Sequence, residues 1–525
     1  MTIKDQNRRD FIKTGLAGFA ALSLFGRADG ASADILMQQD PYPELVEATI
    51  GDLQAKMRAG QLTSRRLVEM YLERIEKIDP KLRSVIETNP DALAIADGLD
   101  RERRRGKMRS MLHGIPILIK DNIDTADRMH TTAGSLALVD APVPRQDAFV
   151  AARLRKAGAV IIGKTNLSEW ANFRSTKSIS GWSGRGGQTN NPYYLDQNPC
   201  GSSSGSGVAV SANLAAAAVG TETNGSIICP ALTNGVVGIK PTLGLVSRSG
   251  IIPIAHTQDT AGPMARTVAD AAILLGALTG RDKNDAITAD AEKKGASDYT
   301  KFLDPNGLKG ARLGLVMQYL PRQNAEQWRA YYQPFIDKLR EAGATLVEVM
   351  FTPDYSKIAD DRLNVLLYEF KTDLNKYLAA RGARYKTLAD LIKFNDENKE
   401  KEMPKFGQEL FLQAQEKGDL TDKAYLDALA KIKKATREDG IDAVLAKDHL
   451  DAIVGPTSGA TWSIAAVAGY PYITVPLGLR DNTATGMAFF GRPWSEPSLI
   501  RYAFAFEQQT KGRVAPQYLA TYQKK

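Results

Sequence analysis

The chain has 525 residues, 43% of them hydrophobic and 24% charged, with a formal net charge of +8. These proportions fit a globular protein with a sizeable core and exclude a disordered or collagen-like chain. The two cysteines and four histidines form no His-Glu-x-x-His or Cys-x-x-Cys pattern, so a zinc site has little support. The one dense basic run, Arg101-Glu-Arg-Arg-Arg-Gly-Lys-Met-Arg109, lacks interleaved aromatics, so no nucleic-acid partner is expected.

At the N-terminus, Asn7-Arg-Arg-Asp-Phe-Ile-Lys13 precedes an uncharged stretch over 14–25 and the small-residue run Ala31-Ser32-Ala33. Basic, apolar and small regions in this order read as a secretory signal. Arg8 and Arg9, followed by Phe11 and Lys13, resemble a twin-arginine signal. The apolar stretch is far shorter than the ~20 residues needed to span a bilayer. Residues 1–33 are therefore expected to be cleaved after Ala33, leaving 34–525 as the catalytic domain. The expected location is periplasmic or secreted. The export machinery would be a transient partner, with no stable membrane association.

Helical spacing of apolar residues runs through 53–78, interrupted at Gly60. Residues 92–105 read as another helix. Ile115-Pro-Ile-Leu-Ile-Lys120 is a short β-rich run ending in a charge. A helix is expected over 148–157, closed by Gly158, and a buried strand over 159–162. This alternation indicates an α/β fold with a largely parallel or mixed sheet. Residues 173–207 are rich in Gly, Ser, Asn and Pro, and a loop this long between apolar segments is usually functional. Residues 208–219 read as a small-residue buried helix and 236–239 as a strand. Strands over 312–316 and 345–349 flank a helix over 325–342. The charged stretch 355–440 reads as an outer helical layer. Strands over 452–454, 473–477 and 487–490 return to the sheet, followed by a last helix over 501–509.

Two common catalytic patterns fit poorly. Gly201-Ser-Ser-Ser-Gly205 matches Gly-x-Ser-x-Gly with Ser203 central. That elbow would need a downstream acid and then His256 or His449. The glycine-rich segments 184–187 and 201–207 lack the Gly-Lys-Ser/Thr ending of a phosphate loop. A third reading needs no histidine. A neutral lysine can take the proton of a serine hydroxyl. Lowering an ammonium from ~10.4 to about 7–8 takes roughly 3 units, or ~4 kcal/mol. Lys120 follows Ile117-Leu-Ile119, where burial can supply that, although an isolated strand-end lysine would more often snorkel to solvent.

Lys120 has company. Pro199-Cys-Gly-Ser-Ser-Ser-Gly-Ser-Gly207 lies downstream, then Gly220-Thr-Glu-Thr-Asn-Gly-Ser-Ile-Ile-Cys-Pro230 and Gly235-Val-Val-Gly-Ile-Lys-Pro-Thr242. Gly163-Lys-Thr-Asn166, Asp451-Ala-Ile-Val-Gly-Pro-Thr457 and Ala468-Gly-Tyr-Pro471 occur in the same order. Together these closely resemble the amidase signature family, over about residues 43–515. The resemblance implies a single α/β/α domain with a central mixed sheet covered by helices. It implies a Lys120–Ser202–Ser226 triad with Ser226 as nucleophile, and a cis peptide bond before the bridging serine. Backbone N–H groups of Thr223, Asn224, Gly225 and Ser226 would form the oxyanion hole. No cofactor and no metal are implied. A one-residue slip in the serine loop transfers the bridging role from Ser202 to Ser203.

Where the family has Asp, Gly and Gly, this chain has Glu222, Asn224 and Cys200. Asn224 is expected to hold the positive φ of the oxyanion turn. Cys200 and Cys229 are expected to be close in space. Folding in a reducing cytoplasm before export favours two free thiols over a disulfide. The variant segments look most like bacterial peptide amidases, which implies a small-molecule or short-peptide amide as substrate. A broad acyl- or aryl-amide hydrolase and a catalytically inactive binding protein on the same fold are the alternatives.

Overall fold

The computed structural model describes residues 41–522. The signal-peptide expectation for 1–33 lies outside the described residues. The thirteen strands among the described residues are β1 (Val85–Thr88), β2 (Pro116–Lys120), β3 (Val160–Thr165), β4 (Trp182–Ser183), β5 (Gly187–Gln188), β6 (Ala217–Glu222), β7 (Val237–Lys240), β8 (Thr260–Ala265), β9 (Arg312–Val316), β10 (Thr345–Val349), β11 (Ala452–Pro456), β12 (Tyr472–Arg480) and β13 (Thr483–Phe490). Eleven of them form one sheet in the order β1-β3-β2-β6-β8-β7-β12-β13-β11-β9-β10, and β4 pairs with β5 alone. β2 runs parallel to both β3 and β6, whereas β8 is antiparallel to β6 and β7. The sheet is therefore mixed, with helices packed on it, as expected.

Local chemistry explains the elements that frame β2. The helix Ser64–Leu82 starts at Thr63, whose side chain accepts the Arg66 N–H, and buries Leu67, Val68, Tyr71, Ile75 and Ile78 against the sheet. The helix Phe149–Ala157 ends where Gly158 turns left-handed, with φ 88°, and the chain enters β3. β2 is buried along its whole length and lies between two parallel neighbours, so its apolar run leads the Lys120 side chain into the buried interior.

The expected helix over 208–219 is only half right. A helix covers Ser204–Ser211, Asn213 turns left-handed (φ 56°), and the run continues as β6. The run is apolar apart from Ser211 and Asn213, so periodicity does not separate a buried helix from a buried strand. β8 was not anticipated, because Thr260-Ala-Gly-Pro-Met-Ala265 carries Gly and Pro inside it. Its Pro263 nonetheless pairs with Val219 in the middle of the sheet. β1 and the helix Val268–Leu278 were also missed.

The expected polar helical layer comprises Ala359–Arg381, Leu388–Glu397, Glu409–Gln415 and Lys423–Thr436. Its buried side, with Phe370, Leu374, Leu391 and Phe411, packs on Trp170, Phe173, Ile252 and Ile254. Those last residues lie on loops beside the carboxyl ends of β2 and β6, so the layer forms a wall over that region.

Candidate active site

Lys120 ends β2 and is fully buried. Its Nζ donates to Ser202 Oγ at 2.8 Å, Thr221 Oγ1 at 2.8 Å and Thr221 O at 3.2 Å. No carboxylate is bonded to it among the described residues. Burial brings its pKa down to about 7, opposed by the charges of Asp259 and Glu222. An ammonium here has three acceptors for its three hydrogens. A neutral amine can give two hydrogens to Thr221 and leave its lone pair for the Ser202 hydroxyl.

The serine loop docks tightly. A Cβ on Gly205 would fall 2.2 Å from Ser84 O and 2.5 Å from Asn166 O, so only glycine lets the loop reach the end of β3. The Gly201–Ser202 peptide bond is cis. Ser202 O accepts the Ser168 N–H at 3.1 Å. Ser203 turns away from the lysine: its Oγ donates to Thr221 O and accepts the Thr221 N–H, at 3.0 and 3.1 Å. The two hydroxyls thus separate, Ser202 to Lys120 and Ser203 to the β6 backbone. This geometry also removes the elbow reading, because Ser203 has no histidine partner.

The chain after β6 carries Ser226, which is 8% exposed. The Ser203 N–H donates to Ser226 O at 3.0 Å, which fastens this turn to the serine loop. Glu222 organises the turn from inside. Its carboxylate accepts the N–H groups of Gly225 (2.7 Å), Ile227 (2.8 Å) and Ile228 (3.0 Å). Two expectations change as a result. The Gly225 N–H, placed in the oxyanion set, is spent on Glu222. Thr223, Asn224 and Ser226 remain as the members of that set whose N–H groups bond to no other described residue. The left-handed residue is Gly225 (φ 81°), not Asn224. A Cβ on Gly225 would meet Trp462 Nε1 at 2.4 Å, whereas Asn224 uses its side chain to accept from Ser463 Oγ at 2.7 Å.

Cys200 and Cys229 are joined in a disulfide with a Cα separation of 5.9 Å. The expected proximity holds, and the free-thiol expectation is replaced by a bond between the two serine-bearing segments.

A cavity of about 270 Å³ opens beside Ser202. Asn122, Thr223 and Asp259 line its polar side, and Ile251, Ile252 and Ile254 its apolar side. Asp259 is buried and its pKa rises to about 6, although it accepts from Thr223 Oγ1 (2.6 Å) and from the N–H groups of Ile254 and Ala255. At the mouth, His256 Nδ1 lies 2.8 Å from Asp373 Oδ2 and 3.6 Å from Glu369 Oε2. These three groups were not grouped by sequence spacing. Glu369 also accepts from Thr257 N–H, Thr257 Oγ1 and Tyr425 OH. Together these bonds pin the helix Ala359–Arg381 to the loop over the cavity.

Reasoning from sequence did not pick out Thr221, Asp259 or the His256–Asp373 contact. Thr221 had a usable signal, since it stands in the same Gly-Thr-Glu segment as Ser226. Asp259 and Asp373 are brought in by tertiary contacts, and nothing in their local sequence marks them.

The sequence profile described as Amidase matches residues 66–464. The chain belongs to the amidase signature family. It is a hydrolase acting on amide bonds. The amidase is 45% identical over 484 residues to a probable amidase of Arabidopsis thaliana, covering 90% of this chain and 92% of that one. Its structure is similar to the peptide amidase PAM in complex with the competitive inhibitor chymostatin, with 51% identity, a TM-score of 0.87 and coverage of 91% and 99%. It is likewise similar to native peptide amidase from Stenotrophomonas maltophilia, with 50% identity, a TM-score of 0.86 and the same coverage.

Proposed function

We propose that this amidase is exported and removes the amide group from the C-terminus of short peptides, with Ser226 as nucleophile, Ser202 as bridge and Lys120 as base. The observation that carries this reading is the 2.8 Å contact between Lys120 Nζ and Ser202 Oγ, with the amine fully buried and its pKa lowered to about 7. Neutral Lys120 takes the Ser202 proton as Ser202 takes the Ser226 proton, and Ser226 Oγ attacks the amide carbon. The N–H groups of Thr223, Asn224 and Ser226 face the developing oxyanion. The proton returns through Ser202 to the leaving nitrogen, ammonia departs, and water attacks the resulting ester by the same relay. Water supplies the oxygen of the carboxylate product, and the serine proton is restored.

The peptide specificity rests on similarity to a peptide amidase across nearly the whole chain, and on a cavity beside Ser202 with one apolar and one polar side. The test is ammonia release by mature protein from peptide amides, aryl amides and free carboxamides. Highest kcat/KM on peptide amides supports the reading. Preference for aryl amides replaces it with the broad-hydrolase alternative. Absence of both turnover and fluorophosphonate labelling replaces it with an inactive binding protein.

A further inference from the structure

A second cavity, of about 470 Å³, is lined by Gly459, Ala460, Ser463, Ile464 and Val467 of the helix Gly459–Ala468. Its volume falls in the range of small-molecule sites. Ser463 stands in its wall and donates to Asn224, which fixes the cavity's position next to the oxyanion turn.

Three donors in this wall lack acceptors. Arg362, on the helix Ala359–Arg381, forms no ion pair or hydrogen bond among the described residues, and its Nε is fully shielded from solvent. The hydroxyl of Tyr355 is likewise buried without a partner. Tyr319 lines the same space and bonds to no described residue through its hydroxyl. Burial alone lowers the Arg362 pKa, and burial alone raises that of Tyr319 to about 12. A partly buried cation without an acid is costly, and so is a buried hydroxyl without an acceptor.

The nearby carboxylates are already engaged. Asp354 accepts from the Ser356 N–H and hydroxyl and faces Lys357. Asp439, whose charge reaches Tyr355, pairs with Lys434. The rest of the wall is mixed: Gln318, Asp354, Ser356, Thr436 and Ser463 are polar, and Ile358, Ile464 and Val467 form an apolar strip.

We infer that this cavity is a binding site for a small monocarboxylate with an apolar body, its carboxylate held by Arg362 and the hydroxyls of Tyr355 and Tyr319. Arginine suits a carboxylate because its planar fork matches the two oxygens. The phenols add hydrogen bonds, and Ile358, Ile464 and Val467 cover the apolar part. The site is separate from the Ser202 cavity and does not depend on the peptide-amidase reading.

Benzoate is a suitable probe, with neutral benzyl alcohol as the comparison. Calorimetry on the full chain should show saturable benzoate binding, with benzyl alcohol at least tenfold weaker. Arg362→Met should weaken benzoate at least tenfold. Tyr355→Phe, which keeps the ring in place, should weaken it severalfold and serves if Arg362→Met does not fold. Absence of saturable benzoate binding by the unmodified protein overturns the inference. So does binding that both substitutions leave unchanged, which would place the anion elsewhere.

Discussion

Cys200 and Cys229 are bonded to each other across the two segments that carry Ser202 and Ser226, with their Cα atoms 5.9 Å apart. The bridge closes a 29-residue separation that contains the whole serine helix and β6. In the chain-entropy account, a loop of this length contributes about 3–4 kcal/mol. Reducing the bridge, or making Cys200→Ser with Cys229→Ser, should lower the unfolding midpoint in guanidinium. Thiol titration of denatured, unreduced mature protein should find no free thiol. Two free thiols would show that the bond does not form in the folded protein.

The Lys120 pKa of about 7 sets an expected pH profile. Burial disfavours the ammonium, so the folded-state value lies below that of a free lysine, and the active neutral form accumulates as pH rises through 7. The logarithm of kcat/KM should climb with unit slope below pH 7 and level off above it. His256→Asn should leave this limb in place. Loss of the limb in that variant would reassign the base to histidine.

The separation of the serine hydroxyls predicts unequal mutants. Ser226→Ala should abolish turnover. Lys120→Ala and Ser202→Ala should each reduce kcat by roughly 10³-fold or more. Ser203→Ala breaks two bonds to the Thr221 backbone. It should cost about 1–3 kcal/mol of stability while retaining most of kcat. Parallel kinetics and denaturant melts check both halves, and a Ser203→Ala enzyme slower than Ser202→Ala would reverse the assignment.

Glu222 holds three backbone N–H groups with one buried carboxylate. Glu222→Ala leaves all three without an acceptor and should cost about 3 kcal/mol or more, read from denaturant unfolding. Glu222→Gln keeps one acceptor oxygen and should lie between the two. A Glu222→Ala protein as stable as the parent would mean that the turn holds without the carboxylate.

Export is checked by fractionation. Arg8→Lys combined with Arg9→Lys should leave full-length precursor in the cytoplasm, because the twin-arginine route reads the paired guanidinium side chains. Undiminished appearance of cleaved protein outside the cytoplasm would rule out that route.

The sequence by itself determined what is carried in contiguous segments. An apolar run ending in Lys120, a glycine- and serine-rich loop, and Gly-Thr-Glu-Thr-Asn-Gly-Ser were legible, because strand burial, close backbone approach and tight turns each demand particular residue types in order. They placed β2 and the mixed sheet, and they singled out Lys120, the Ser202–Ser203 pair and Ser226 as candidates. The boundary at Asn213 was not legible, since the alanine-rich run suits helix and strand equally. β8 was hidden by its own Pro263.

Only the tertiary structure decided between Ser202 and Ser203. Adjacent serines differ in direction rather than in chemistry, and the direction depends on how the loop meets β6. It also decided which N–H groups stay available, because Glu222 reaches forward three residues to take one of them. Thr221, Asp259 and the wall holding Asp373 act through contacts between distant segments. Such contacts are set by how helices and loops pack around the sheet, and a side chain's own neighbours in sequence carry no record of them.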